Sequence, residues 1–174
     1  MNLFVMRHGL TVWNEKGIIQ GRSNNRLSKT GKEMVEDIAK KYSKTPFDVI
    51  VCSPLFRTVQ TANIMNKYHN VKIIRDCEII EIDQGIFSGK KRAFLSEKER
   101  KLQQMRLKEN GQETFEEIDG RIKNFVDNIK TKYPFENVLV VTHDICAVVM
   151  EHFLCNKPFG GIEFANAEIK KFVI

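Results

Sequence analysis

Residues 2–14 read NLFVMRHGLTVWN: an apolar run, then arginine, histidine and glycine in direct succession. The run 2–6 is β-rich and apolar on both faces, which is how a buried strand of a parallel sheet reads. DVIVC at 48–52 and NVLVVT at 137–142 have the same character, and IKKFVI at 169–174 suits a fourth or edge strand. Between these runs lie helical patterns. TGKEMVEDIAKKY, 30–42, repeats Met34, Val35, Ile38 and Ala39 at helical spacing; TFEEIDGRIKNFVDNIKTKY, 114–133, repeats Phe115, Ile118, Ile122, Phe125, Val126 and Ile129. In CSPLFRTVQTANIM, 52–65, Ser53 is placed as an N-cap with Pro54 at the first helical position. Strands alternating with helices predict an α/β fold.

In an open parallel sheet, ligands bind beyond the carboxyl ends of the strands, so the residues just after each strand are the ones to compare. Arg7 and His8 follow the first run, Ser53 and then Arg57 follow the second, and His143 follows the third. Two guanidiniums are rigid, permanently charged forks suited to phosphate oxygens, and nearby helix N-termini add oriented N–H groups. An imidazole among them is a natural nucleophile toward phosphorus, because a neutral nitrogen attacks while the arginines neutralise the equatorial oxygens. Departure of an alkoxide then calls for a proton donor, and the candidates are Glu78, Glu81 and Asp83.

The chain has 174 residues, 42% of them apolar and 29% charged, as expected of one folded domain able to bury its own core. Its 28 Lys and Arg against 22 Asp and Glu give a net charge of +6, a bias toward anionic partners. The densest basic runs, GKKR and SEKERK, are interrupted by acids or lie mid-chain, so no nucleic-acid face is indicated and a phosphorylated metabolite is the expected partner. Lys90, Lys91 and Arg92 read foremost as a solvated face, with substrate contact as the minority reading, and Trp13 reads as packing. The cysteines, Cys52, Cys77, Cys146 and Cys155, show no CxxC pairing and read as reduced core residues; Cys146, His152 and Cys155 match no usual zinc spacing. His69 and His152 read as satisfied polar residues. No metal and no cofactor is implied. Neither a signal peptide nor an apolar run of spanning length is present, so no membrane partner and a cytoplasmic location are expected. Nothing in the sequence sets an oligomeric state.

The same segments resemble the histidine phosphatase superfamily, in the branch that includes cofactor-dependent phosphoglycerate mutases and many small phosphatases. MRHGLTVWN resembles its RHG signature, IIQGRSNNRLSKTG its QGR…L(S/T)xxG segment, VCSPLFRTVQTA its SPLxRxxQTA segment, IIEIDQGIFSG its acid loop, GQETFEEIDGRI its GESxxExxxRV segment and VVTHD its VxHG segment. The resemblance implies a three-layer α/β/α sandwich with a mostly parallel sheet, one domain over 1–174 and a short helical cap inserted at about 86–112. It implies that His8 is the phosphorylated histidine, that Arg7, Arg57, His143 and Asn14 hold the phosphate, and that Glu81 is the proton donor, with Glu78 the fallback. Gln20, Gly21 and Thr11 match positions near the substrate. Three positions depart from the pattern: Leu10, Ser88 and Asp144, where the family commonly has an acid, Glu or Gln, and glycine. Asp144 is expected to cap the helix ICAVVMEHFL.

The expected activity is that of a metal-independent phosphomonoesterase acting through a phosphohistidine. Its alternative is a phosphoglycerate mutase, disfavoured because only about thirty residues separate Glu81 from GQETFEEI, too few for a large water-excluding insertion. A catalytically weak phospholigand-binding module is the third reading. FLSEKERKLQQMRLK, 94–108, reads as one amphipathic cap helix, and specificity is expected to reside there.

Overall fold

Four parallel strands, β1 (Asn2–Arg7), β2 (Val49–Cys52), β3 (Lys72–Arg75) and β4 (Asn137–Thr142), join an antiparallel strand, β5 (Ile169–Val173), in one sheet ordered β3-β2-β4-β1-β5. The computed structural model describes residues 1–158, 161 and 163–174. The sequence runs at 2–6, 48–52 and 137–142 form the three central strands, and 169–174 forms an edge. β3 was not anticipated: KIIR is four residues long, alternates with exposed Lys72 and Arg75, and carries too little apolar length to stand out.

Alternation within the central strands divides the core into two faces. Leu3, Val5, Val49, Val51, Val138 and Val140 point to one side and meet Ile118, Ile122, Phe125 and Ile129 of α5 (Phe115–Lys132) and Ala147 and Met150 of α6 (Asp144–Cys155). Phe4, Met6, Ile50, Cys52, Leu139 and Val141 point to the other and meet Val35 and Ala39 of α2 (Lys29–Lys41) and Ala62 and Met65 of α3 (Phe56–Asn66). Helices on both faces of a mostly parallel sheet make the expected three-layer α/β/α arrangement. Each of the four α5 residues at this spacing is fully buried or nearly so, and each such side chain contributes about 1.5–3 kcal/mol. Phe115, expected in the same apolar stripe, is exposed instead, because it occupies the first helical turn after the Thr114 cap and turns toward a cavity.

In the register of the ladder Arg7 lies opposite Thr142, and Met6 and Cys52 both lie opposite Val141. β1, β2 and β4 therefore end at one level, and Arg7–His8, Ser53 and His143 emerge side by side. A short helix, α1 (Val12–Glu15), follows the first of these, capped by Thr11 in a reciprocal box with Asn14. Residues 85–110 run as three 3₁₀ turns and one helix, α4 (Glu97–Met105), itself started by a Ser96–Glu99 capping box. The expected single helix over 94–108 is thus shorter, because Leu95–Ser96 is extended and Arg106 adopts a left-handed backbone.

Several local expectations are corrected. α3 starts at Phe56, with Leu55 as N-cap, not at Ser53–Pro54; the orphan N–H of Phe56 is met from another loop by Asn24 Oδ1 at 2.7 Å. Asp144 does not cap α6: His143 occupies the N-cap and Asp144 lies in the first turn. Cys52 and Cys146 are buried thiols, but Cys77 and Cys155 are exposed, Cys77 in a surface turn and Cys155 at the end of α6. The ring of His152 contacts the Lys157 carbonyl, whereas His69 packs on Phe47 with its Nε2 buried and unpartnered.

Candidate active site

The Arg57 guanidinium ties the site together. It is completely buried, in the first turn of α3, and its Nε lies 3.2 Å from His8 Nε2 and 3.2 Å from His143 Nδ1. Nη1 donates to the Ser23 carbonyl and Nη2 to the Gly21 carbonyl, both at 2.8 Å, leaving one N–H on each terminal nitrogen for a ligand. Desolvation lowers its pKa to about 10, still far above neutrality, so the charge is retained.

The neighbours of each imidazole settle its tautomer. His8 Nδ1 is 2.7 Å from the Gly9 carbonyl, which only accepts, so Nδ1 carries the proton and Nε2 the lone pair. His143 accepts from Arg57 at Nδ1, so Nε2 carries its proton and donates to Ser53 Oγ at 2.8 Å. Burial holds both rings well below the usual histidine pKa, and the Arg57 charge adds to the effect. The loop bearing His8 is pinned by Gly9 N–H donating to Thr61 Oγ1 at 3.1 Å. Its next turn is pinned by Ser28: Ser28 N–H donates to the Leu10 carbonyl at 3.0 Å, and Ser28 Oγ caps α2 by accepting from Gly31 N–H. Gly31 allows this approach, since a Cβ there would stand 1.9 Å from the Leu10 oxygen.

These residues open onto a cavity of about 410 Å³, a size suited to a small metabolite. Of the expected site residues, Arg7, His8, Asn14, Gln20, Gly21, Arg57 and Glu81 line it. His143 and Thr11 stand behind the lining, fully buried: His143 supports Arg57, and Thr11 Oγ1 bonds the side-chain oxygens of Asn14 (2.8 Å) and Gln20 (3.0 Å).

The three acid candidates separate cleanly. Glu78 turns outward to Asn124 and to Lys132 at 2.7 Å, and Asp83 accepts from Gly85 N–H at 2.9 Å; neither lines the cavity. Glu81 does, with Oε1 held by Ile82 N–H at 2.9 Å and faced by the Cys146 thiol at 3.7 Å. Burial pushes its carboxyl up, against the pull of Arg57, and the same environment lifts Cys146 to about 12. Behind it Arg121 bridges Glu113, the Glu78 carbonyl and Cys146, fixing the acid loop onto α5.

Asp144 also lines the cavity and ion-pairs with Arg7 at 3.2 Å; burial raises its carboxyl, opposed by that guanidinium. Arg7 is further anchored by donating to the Phe164 carbonyl at 2.6 Å. The lining contributed by Gln84, Gln103, Arg106 and Phe115 was not anticipated. Gln84 and Phe115 belong to the acid-loop and GQETFEEIDGRI segments and Gln103 and Arg106 to the stretch expected to set specificity, but no spacing within these segments singles out the four side chains. Arg92, the minority reading for substrate contact, also faces the cavity. Among the described residues no three His, Cys, Asp or Glu side chains are grouped to hold a metal. No described helix is long and apolar enough to cross a membrane.

Comparison with known proteins shows the family and the fold. Residues 3–173 match the family described as the histidine phosphatase superfamily (branch 1). The chain is 31% identical over 151 residues to phosphoserine phosphatase 1 of Hydrogenobacter thermophilus, covering 83% of this chain and 72% of that protein. It is 30% identical to the uncharacterized phosphatase PhoE of Bacillus subtilis, covering 90% and 77%. The crystal structure of the alpha-ribazole phosphatase from Shigella flexneri superposes with a TM-score of 0.88 over 98% of this chain and 89% of that one at 19% identity, a likeness of fold.

Proposed function

Since the chain belongs to the histidine phosphatase superfamily, branch 1, we propose that it hydrolyses phosphomonoesters of small metabolites through a phosphohistidine at His8, without a metal. The observation that carries this reading is the tautomer of His8: with Nδ1 donating to the Gly9 carbonyl, the Nε2 lone pair is directed toward Arg57 in the cavity.

The Nε2 lone pair attacks phosphorus as the P–O bond to the leaving alcohol breaks. Arg7, Arg57 and Asn14 hold the non-bridging oxygens, and His143, its Nε2–H turned onto Ser53, keeps Arg57 in place by accepting from Nε at Nδ1. Glu81, whose carboxyl burial pushes up toward the protonated form, gives its proton to the departing oxygen. Water then attacks the phosphoryl group, the Glu81 carboxylate takes its proton, the N–P bond breaks onto Nε2, and inorganic phosphate leaves. The buried guanidiniums supply the charge neutralisation that this displacement needs.

Hydrolysis is favoured over mutase transfer by the rim. Residues 86–112 form the cap in this reading, and Arg92 and Gln104 on it, with Ile145 and Phe115 beside it, line the cavity while remaining exposed, so water has access to the phosphoenzyme.

The test is phosphate release from a panel of phosphomonoesters with EDTA present, comparing wild type with His8→Ala. Release that persists in EDTA and disappears in the variant is expected, together with a wild-type phosphoenzyme that is labile to acid and stable to base. Release that continues in His8→Ala refutes the reading, and isomerisation of 3-phosphoglycerate without release indicates the mutase instead.

A further inference from the structure

We propose that the cavity contains a second anion subsite built on Arg106 and Arg92, so that the preferred ester carries a further carboxylate or phosphate on its alcohol portion; this rests on the hydrolase reading above. Arg106 is 7% exposed and lies in the fields of Glu113, Glu81 and Asp83, yet its guanidinium is ion-paired with no carboxylate among the described residues. Its Nε donates to the Glu113 carbonyl at 2.8 Å and its Nη2 to the Asp83 carbonyl at 2.6 Å, while its Nη1 makes no hydrogen bond among the described residues. A buried cation lacking a bonded counter-ion is costly, and this one stands on the cavity wall.

The backbone supports the same conclusion. Arg106 ends α4 in the left-handed region, φ 53 and ψ 62, a conformation that strains a non-glycine residue. Helices commonly end in glycine at such a place. Here an arginine is held there by its two carbonyl bonds and by Gln112, which accepts from Leu107 N–H at 3.2 Å and donates to the Gln103 carbonyl at 3.0 Å. The strained residue is the one whose head group reaches the cavity.

Charge around the cavity is unevenly compensated. Arg7 has Asp144 beside it, and Arg57 shares its field with Glu81. The Arg92 side chain makes no hydrogen bond or ion pair among the described residues, and its charge acts on Asp144 from a distance. A phosphoryl group occupies Arg7 and Arg57; Arg106 lies in the fields of Glu113, Glu81 and Asp83, but its Nη1 and the Arg92 head group have no bonded anion among the described residues. Because Glu81 also lies in the field of Arg106, this second pair borders the side where the leaving alcohol receives its proton. Gln84 and Gln103, joined amide to amide at 3.1 Å, line the interval, and the Phe115 ring lies 5.9 Å from the Arg106 guanidinium.

The decisive measurement is a ratio of kcat/KM values, which a uniform loss of activity does not move. One arm compares 3-phosphoglycerate with glycerol 3-phosphate, which differ by a carboxylate; the other compares propane-1,3-diol bisphosphate with 3-hydroxypropyl phosphate, which differ by a phosphate. At least a tenfold preference for the doubly anionic member is expected in one arm, identifying which anion is bound. It should fall below threefold in Arg106→Met and be reduced in Arg92→Met, with Arg106→Lys retaining part of it. Arg92 is exposed, so that variant tests the subsite even if Arg106→Met does not fold. Calorimetric binding of the same pairs to His8→Ala decides the matter where turnover is absent. A wild-type ratio near one in both arms, or a preference that survives in the folded arginine variants, overturns the subsite; loss of His8-dependent release from p-nitrophenyl phosphate overturns the hydrolase reading separately.

Discussion

Nη1 of Arg7 lies 3.2 Å from Oδ1 of Asp144, so a carboxylate occupies part of the guanidinium that the proposed mechanism turns toward the phosphoryl group. The two compete. Replacing Asp144 by Asn is expected to lower KM for phosphomonoesters about three- to tenfold, since a partly exposed pair of this kind is worth on the order of 1 kcal/mol. Inhibition by inorganic phosphate should tighten in step. An unchanged KM and an unchanged phosphate inhibition constant would show that Asp144 swings clear of Arg7 when ligand arrives.

Glu81 is buried and its carboxyl raised, which suits a donor that must be protonated as the ester bond breaks. Glu81→Gln should therefore reduce kcat/KM for alkyl phosphates by about 10²–10⁴ while affecting p-nitrophenyl phosphate far less, because a nitrophenolate departs without a proton. Equal losses on both substrates would assign the leaving-group proton elsewhere.

For Arg57, length and fork geometry matter as much as charge. Arg57→Lys loses the Gly21 and Ser23 carbonyl bonds together and retracts from both imidazoles. A decrease in kcat/KM of about 10²–10³ or more is expected even though the charge is kept. A lysine variant within tenfold of wild type would reduce Arg57 to a point charge.

His8 and His143 titrate lower in the folded chain than when unfolded. The unfolded chain then binds more protons below the unfolded histidine value of about 6.5, so stability is full above that pH and declines as pH falls below it. Melting temperatures measured from pH 7.5 to 5 should fall on acidification, and less steeply in His8→Asn than in wild type. Parallel curves would mean that His8 takes up a proton as readily in the fold as in the unfolded chain.

Gly31 is a test of packing alone. Its added methyl would overlap the Leu10 carbonyl oxygen, so Gly31→Ala must displace α2 or the loop after His8. Destabilisation of about 1–3 kcal/mol is expected from denaturant midpoints, with activity falling beyond what the loss of folded protein explains. Wild-type stability would show that the turn adjusts freely.

What the sequence disclosed follows a physical division. Central strands buried on both faces and α5, with its 3.6-residue apolar repeat, announce themselves because burial dictates residue type at regular intervals. β3 escaped notice as a short edge with charged ends. The residues emerging beyond the strands were legible because parallel register brings Arg7, Ser53 and His143 to one level whatever the loops do. Choosing among Glu78, Glu81 and Asp83 needed a resemblance, since one extended step either way reverses a side chain's direction. Arg106 was beyond reach: its place depends on a left-handed turn and on two distant carbonyls, neither of which leaves a local pattern.

The Arg57 fork is already bonded to the Gly21 and Ser23 carbonyls before any ester enters. An incoming phosphate therefore meets a finished mould whose three-carbon stem has no swing left to lose. Capture should accordingly proceed in a single step, its speed set by diffusion into the mouth and not by rearrangement of the floor.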